Sequence, residues 1–251
     1  MIPGPIRKVL STMQTHRVRA LLMGGQACVF YGAMEFSRDV DLAILDDLQN
    51  LERFQNALAD LKAEQAYVPS LSADALQRGH AVHFRCQAPG VVNLRIDIMT
   101  KMRGVGPFQQ LWERRTTIED SEAGNYELLG LPDLVQAKKT QRDKDWPVVR
   151  RLLEADYASS LGKAELSRIE FWLREIRSPQ LLIEVASQHP QACDRMLKSR
   201  PLLAHAAGRR AEDLALALQE EERLERERDR AYWQPLKAEL EKLRHESGRK
   251  K

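Results

Sequence analysis

The chain has 251 residues, a formal charge of +3, 43% hydrophobic residues and 30% charged residues, a composition that can bury a real core and lies well away from that of disordered chains. That small positive balance excludes nucleic-acid binding by bulk charge, so any site for a polyanion has to be local. The 3 cysteines, Cys28, Cys86 and Cys193, are too widely spaced for a zinc site and too few for a disulfide framework, and they read as small buried apolar residues.

The N-terminus lacks the apolar stretch of a signal peptide, and no run of ~18 apolar residues occurs, so the expectation is a cytoplasmic protein with no membrane span. Residues 1–17 read as a short helix. Ala20–Met23 is a brief apolar strand that ends at Gly24-Gly25, a tight turn, and a short helix follows over 26–31. Residues 40–45 alternate carboxylate and aliphatic side chains with the period of a half-buried strand. Asp46 or Asp47 then caps a helix whose Leu51, Phe54, Leu58 and Leu61 share one face.

Two more alternating runs, 81–86 and 91–99, flank Gln87-Ala88-Pro89-Gly90, and this Pro-Gly turn favours an antiparallel hairpin. Beyond Gly130 the strand signals stop. Pro132 sits in the first turn of a helix expected over 131–155, and further helices are expected over 163–177, 179–188, 191–199 and 209–247, the last broken or kinked at Pro235. The fold class is therefore α+β, with a mixed sheet and flanking helices over 1–157 and a helical region over 158–251. The terminal helix alternates acids and arginines, the pattern of a solvated face, yet Leu214, Leu218, Leu236, Leu240 and Leu243 form apolar stripes that have to be covered by the same chain, a partner protein or a second copy.

The chemistry lies in Arg38-Asp39-Val40-Asp41-Leu42-Ala43-Ile44. In a strand Asp39 and Asp41 project from one face, roughly 7 Å apart, while Val40, Leu42 and Ile44 enter the core. Asp97 alternates with Ile96 and Ile98 in the same manner and falls on a non-core face. If the two strands are neighbours, three acids converge, and like charges so close require a cation. Hard oxygen donors with few histidines suit Mg²⁺ or Mn²⁺, which commonly bind substrate phosphates as well. Gly24 and Gly25 let the backbone approach a phosphate, and the following helix turns its positive end toward it. The structural alternative for the acids is an exposed strand face or ion pairs with Arg38, Arg85 or Arg95. His80 and His83 flank the region and read as structural.

Met23-Gly24-Gly25-Gln26-Ala27 followed by Ser37-Arg38-Asp39-Val40-Asp41-Leu42 resembles the signature of the nucleotidyltransferase superfamily, which has the DNA polymerase β-like fold. The stretch Leu131-Pro132-Asp133-Leu134-Val135-Gln136-Ala137-Lys138, with Arg142-Asp143-Lys144-Asp145 after it, resembles the helix behind the catalytic sheet in the minimal, AbiEii-like toxin branch. The likeness spans roughly residues 18–155. It implies that Gly24, Gly25 and Ser37 contact nucleotide phosphates, that Asp39 and Asp41 bind two Mg²⁺ or Mn²⁺ ions, and that Asp97 serves as ligand or base. It also implies that Lys138, Arg142 and Lys144 lie on a helix facing the nucleotide, the alternative being a solvated basic face.

The activity so implied is transfer of a nucleoside monophosphate from a nucleoside triphosphate to an acceptor hydroxyl on RNA, protein or a small molecule, in a toxin–antitoxin setting. The competing expectation is an inactive scaffold of the same fold that binds partners through its C-terminal helices. A sheet face occupied by Arg85 or Arg95 in place of metal would favour that alternative.

Overall fold

In a computed structural model of the chain, residues 3–33, 37–120 and 124–248 are described. Helix α1 (Gly4–Thr15) carries a proline in its first turn and turns Ile6, Val9, Leu10 and Met13 inward. Strand β1 (Ala20–Met23) runs directly into α2 (Gly24–Phe30). After β2 (Val40–Ile44), α3 (Leu48–Asp60) is capped by Asp47, whose carboxylate accepts a hydrogen bond from the Asn50 amide. Then come β3 (Glu64–Gln65), α4 (Ala73–Arg78), β4 (Val82–Arg85) and β5 (Arg95–Met99). The helix α5 (Phe108–Glu113) and the hairpin strands β6 (Thr116–Asp120) and β7 (Gly124–Leu128) are additions that the periodicity reading does not contain.

The helices that follow are α6 (Leu131–Lys138), α7 (Asp145–Ser160), α8 (Leu166–Glu175), α9 (Pro179–Gln188), α10 (Pro190–Met196), α11 (Leu203–Ala207) and α12 (Ala211–Gly248). The single helix expected over 131–155 is thus two, and the cause is Asp145. Its buried carboxylate accepts from Thr140 Oγ1 at 2.5 Å and Arg142 Nε at 2.7 Å, and Trp146 Nε1 donates to the Thr140 carbonyl at 2.8 Å. Side chains take over the backbone's role there and tie 140–146 into a turn. Pro235, in contrast, is contained within α12.

The molecule is α+β, with a seven-stranded mixed sheet in the order β3-β4-β5-β2-β1-β7-β6. β2 runs antiparallel to β1 and parallel to β5; β4 and β5 form the antiparallel hairpin expected around the Pro-Gly turn. Two compact units divide the chain: the first comprises the described parts of Met1–Val29, Glu35–Ala137 and Tyr232–Lys251, the second those of Phe30–Met34 and Lys138–Ala231.

The core face of the sheet in the first unit is formed by Val40, Leu42, Ile44, Ile96, Ile98, Val82 and Phe84, all buried. Phe54 of α3 meets Phe84 edge to face at 5.7 Å. The end of α12 returns to this unit, where Glu239 accepts from the buried His80 and from Arg78.

The second unit is helical and surrounds Leu152, Leu153, Trp172, Leu173, Leu182, Val185, Leu203, Leu214 and Leu218. It also buries charge. Lys139 pairs with Glu175 at 2.5 Å, and Arg177 and Arg200 share Glu221, the latter at 2.8 Å. Desolvation pushes the Lys139 pKa down, against the attraction of Glu175. Cys28, Cys86 and Cys193 are buried and none of them forms a disulfide. Among the described residues no helix is long and apolar enough to cross a membrane.

Candidate active site

Strand register brings the two acidic strands together. Asp41 of β2 and Asp97 of β5 are direct Cα partners across a parallel pair, and Asp39, just before β2, lies with its Oδ2 3.9 Å from Nε of Arg95, two residues before Asp97. On the opposite side of β5, His83 of β4 is the partner of Asp97 and Arg85 is the partner of Arg95. One face of the sheet therefore carries Asp39, Asp41, Asp97, Arg95, His83 and Arg85, while the intervening aliphatic residues form the core.

Asp41 pairs with Met23 on its other side, next to the turn into α2. Gly24 has φ +65°, and a Cβ built there would overlap the Asp41 carboxylate. Glycine is thus required twice over, by the left-handed backbone and by the space the acid occupies. Gln26, buried in α2, donates to the Ser37 carbonyl at 2.7 Å, and Ser37 Oγ donates to the Asp39 carbonyl at 3.4 Å. These two bonds lace the start of the acidic strand to the glycine turn. Gly25 is buried within α2.

Asp97 lies on the non-core face, as the alternation implies, but is largely covered there, with 11% of its side chain exposed. Arg95 Nε donates to its Oδ1 at 2.8 Å and Oδ2 at 2.9 Å, Arg95 Nη2 also reaches Oδ2, and His83 Nδ1 contacts Oδ1 at 2.7 Å. Burial pushes the Asp97 pKa up; the bonds and charges of His83 and Arg95 outweigh that and hold it below the ordinary carboxylate value. Arg95 is correspondingly kept protonated by its bonds to Asp97, with the charges of Asp97, Asp39 and Asp41 adding to the effect. Its Nε lies 3.9 Å from Asp39 Oδ2, so one guanidinium serves two of the three acids.

The three acids share a face, yet their side chains are not gathered into one cage. Among the described residues no group of three or more acidic, histidine or cysteine side chains is arranged to hold a metal ion. The cation in contact with Asp97 is Arg95, which also lies 3.9 Å from Asp39. A divalent ion fits the donor chemistry and the strand register, and it would require the guanidinium to swing aside and the carboxylates to rotate.

Lys138, Arg142 and Lys144 belong to the second unit. Lys138 is buried with Nζ 3.5 Å from Asp145 Oδ1, and Arg142 Nε is 2.7 Å from Asp145 Oδ2. Two of these three cations therefore converge on one buried acid, whereas Lys144 is exposed at the start of α7. The participants that the motif reading does not assign to the site are Arg95, His83 and Gln26. Alternation alone puts Arg95 beside Asp97, but the placement of His83 depends on hairpin register.

Compared with protein-family models and with curated proteins, the chain matches none.

Proposed function

We propose that the chain is a metal-dependent nucleotidyltransferase that moves a nucleoside monophosphate from a nucleoside triphosphate to an acceptor hydroxyl. The observation that carries this reading is the Asp41–Asp97 partnership across β2 and β5, with Asp39 on the same face and the Gly24 turn against Asp41. The likeness of the glycine turn and of Ser37-Arg38-Asp39-Val40-Asp41-Leu42 to the superfamily signature supports it independently.

Asp39, Asp41 and Asp97 would be the residues that hold the cations. Two such ions, when bound, polarise the transferring phosphoryl group and make the acceptor hydroxyl a better nucleophile. Gly24, having no side chain, leaves the space beside it to the Asp41 carboxylate, and by the likeness Gly24 and Gly25 would contact the phosphates. The Gln26–Ser37 link keeps that turn in register with the acidic strand. Arg95, now paired with Asp97 and 3.9 Å from Asp39, would have to release Asp97 for a cation to be held there. Likeness to the toxin branch makes cellular RNA and protein the acceptors to test first.

The Arg95–Asp97 pair also favours a second reading, a catalytically silent scaffold in which the arginine is a permanent counter-ion. One experiment separates the two. The purified protein, and an Asp41→Asn control, are incubated with each labelled nucleoside triphosphate, Mg²⁺ or Mn²⁺, and pooled cellular RNA and protein. Label transferred by the wild type and not by the control supports the transferase. Absence of transfer with every nucleotide, together with absence of metal binding, supports the scaffold.

A further inference from the structure

Asp97 has two kinds of partner, and they differ in what a divalent cation would do to them. Arg95 is a full positive charge on both carboxylate oxygens. A metal ion repels it, so it has to give way. His83 approaches only Oδ1, through Nδ1 at 2.7 Å. Arg95 Nε donates to both oxygens of Asp97, which therefore acts as acceptor, and at 2.7 Å from Oδ1 His83 Nδ1 is the donor of this bond. An imidazole N–H donates without needing a net charge, and a carboxylate oxygen has a second lone pair. His83 is thus able to keep its bond while the ion is bound.

The ring is also held in place. Tyr67 meets it edge to face at 5.9 Å and 76°, and Gln65 Nε2 fixes the Tyr67 backbone by donating to its carbonyl at 2.8 Å. His83 and Asp97 are strand partners, so neither backbone can slide relative to the other without breaking the hairpin. We propose that His83 is a positioning residue: through Nδ1–H it fixes the orientation of the Asp97 carboxylate toward a divalent cation, and it remains in place when Arg95 is displaced. This rests on the nucleotidyltransferase reading for the cation and adds to it a residue that the motif does not contain. Partners that orient ligating carboxylates typically change metal affinity or activity by ~10–100-fold when removed.

The test is Mn²⁺ binding to the full chain, followed by electron paramagnetic resonance, in the wild type and in His83→Ala, His83→Asn, His83→Gln and Asp41→Asn. The alanine variant is expected to bind Mn²⁺ at least ~10-fold more weakly. Asparagine places an amide N–H close to the Nδ1 position and is expected to restore most of the affinity; glutamine, whose amide stands nearer Nε2, is not. Thermal melts of the asparagine and glutamine variants separate orientation from folding, since a structural role would follow stability and not the position of the donor. Wild-type affinity in His83→Ala, or equal rescue by both amides, overturns the role of His83 while leaving the metal site standing. No Mn²⁺ binding by the wild type, or undiminished binding by Asp41→Asn, overturns the metal site and the His83 role with it.

Discussion

Gly24 and Asp41 occupy one space: the acid's carboxylate lies where a side chain on the glycine would begin. Gly24→Ala would add strain at φ +65° and push Asp41 off the sheet face. It is expected to cost about 1–3 kcal/mol of stability and to weaken Mn²⁺ binding as strongly as loss of the acid itself. Chemical denaturation and Mn²⁺ titration of the same preparation check both parts. A variant that is stable and binds metal normally would mean that the carboxylate does not belong where it lies.

The three acids are expected to separate by stability. Asp39→Asn and Asp41→Asn should abolish transfer with little change in unfolding free energy, because each removes a charge from a crowded acidic face. Asp97→Ala should abolish transfer and also lose about 1–2 kcal/mol, since it removes the acceptor for Arg95 and His83. Urea melts beside transfer assays give the comparison. Equal losses in all three would mean that the acids are alike in structure.

Arg95 competes with any cation that uses Asp97. Arg95→Met keeps much of the aliphatic stem and removes the charge. Isothermal calorimetry without nucleotide is expected to give tighter Mg²⁺ or Mn²⁺ binding for this variant than for the wild type, and slower transfer once nucleotide is present. Weaker metal binding would show instead that Arg95 helps to build the site.

His80 makes stability depend on pH. Its Nε2 is 2.9 Å from Glu239 Oε2, its Nδ1 is buried without a hydrogen-bond partner, and Arg78 and Asp74 are nearby. Desolvation, with Arg78 assisting against Asp74, lowers its pKa from 6.5. The folded state therefore favours neutral His80, so its contribution is complete above pH 6.5 and is lost as pH falls from there through the lowered folded value. His80→Gln retains a donor near Nε2 and does not titrate. The wild type should lose more stability than this variant between about pH 7 and pH 5, with a slope difference of at most ~1.4 kcal/mol per pH unit. Parallel pH profiles would count against the assignment.

Truncation should divide α12 into two functions. Removing 232–251 takes Glu239 from His80 and Arg78 and leaves Leu214, Leu218 and Glu221 in the second unit. Removing 209–251 takes those three as well, and each buried leucine lost is expected to cost about 2–5 kcal/mol. Circular dichroism melts should therefore show a helical unit preserved in the shorter deletion and lost in the longer one. A longer deletion that still melts cooperatively with unchanged helicity per residue would contradict this.

Much of this was legible in the sequence because it depends on neighbours along the chain. Alternation over 39–44 puts Asp39 and Asp41 on one face, the Pro-Gly turn favours a hairpin, and Asp46 or Asp47 ahead of an apolar helical face signals a cap, which Asp47 provides. The glycine pair after an apolar strand likewise announces a tight turn. What the tertiary structure decided depends on distances through space. That Asp97 is the partner of Asp41 is a matter of strand order and register, and a shift of one residue would have turned it into the core. That His83 covers it depends on an irregular loop over 87–94, closed by mutual backbone bonds from Cys86 to Leu94 and Asn93, whose length hides the register from a linear reading. The solvated look of the terminal helix has the same limit. Leu214 and Leu218 are buried and Glu221 neutralises two arginines, because a charge pattern along a helix does not reveal which turns the rest of the chain will cover.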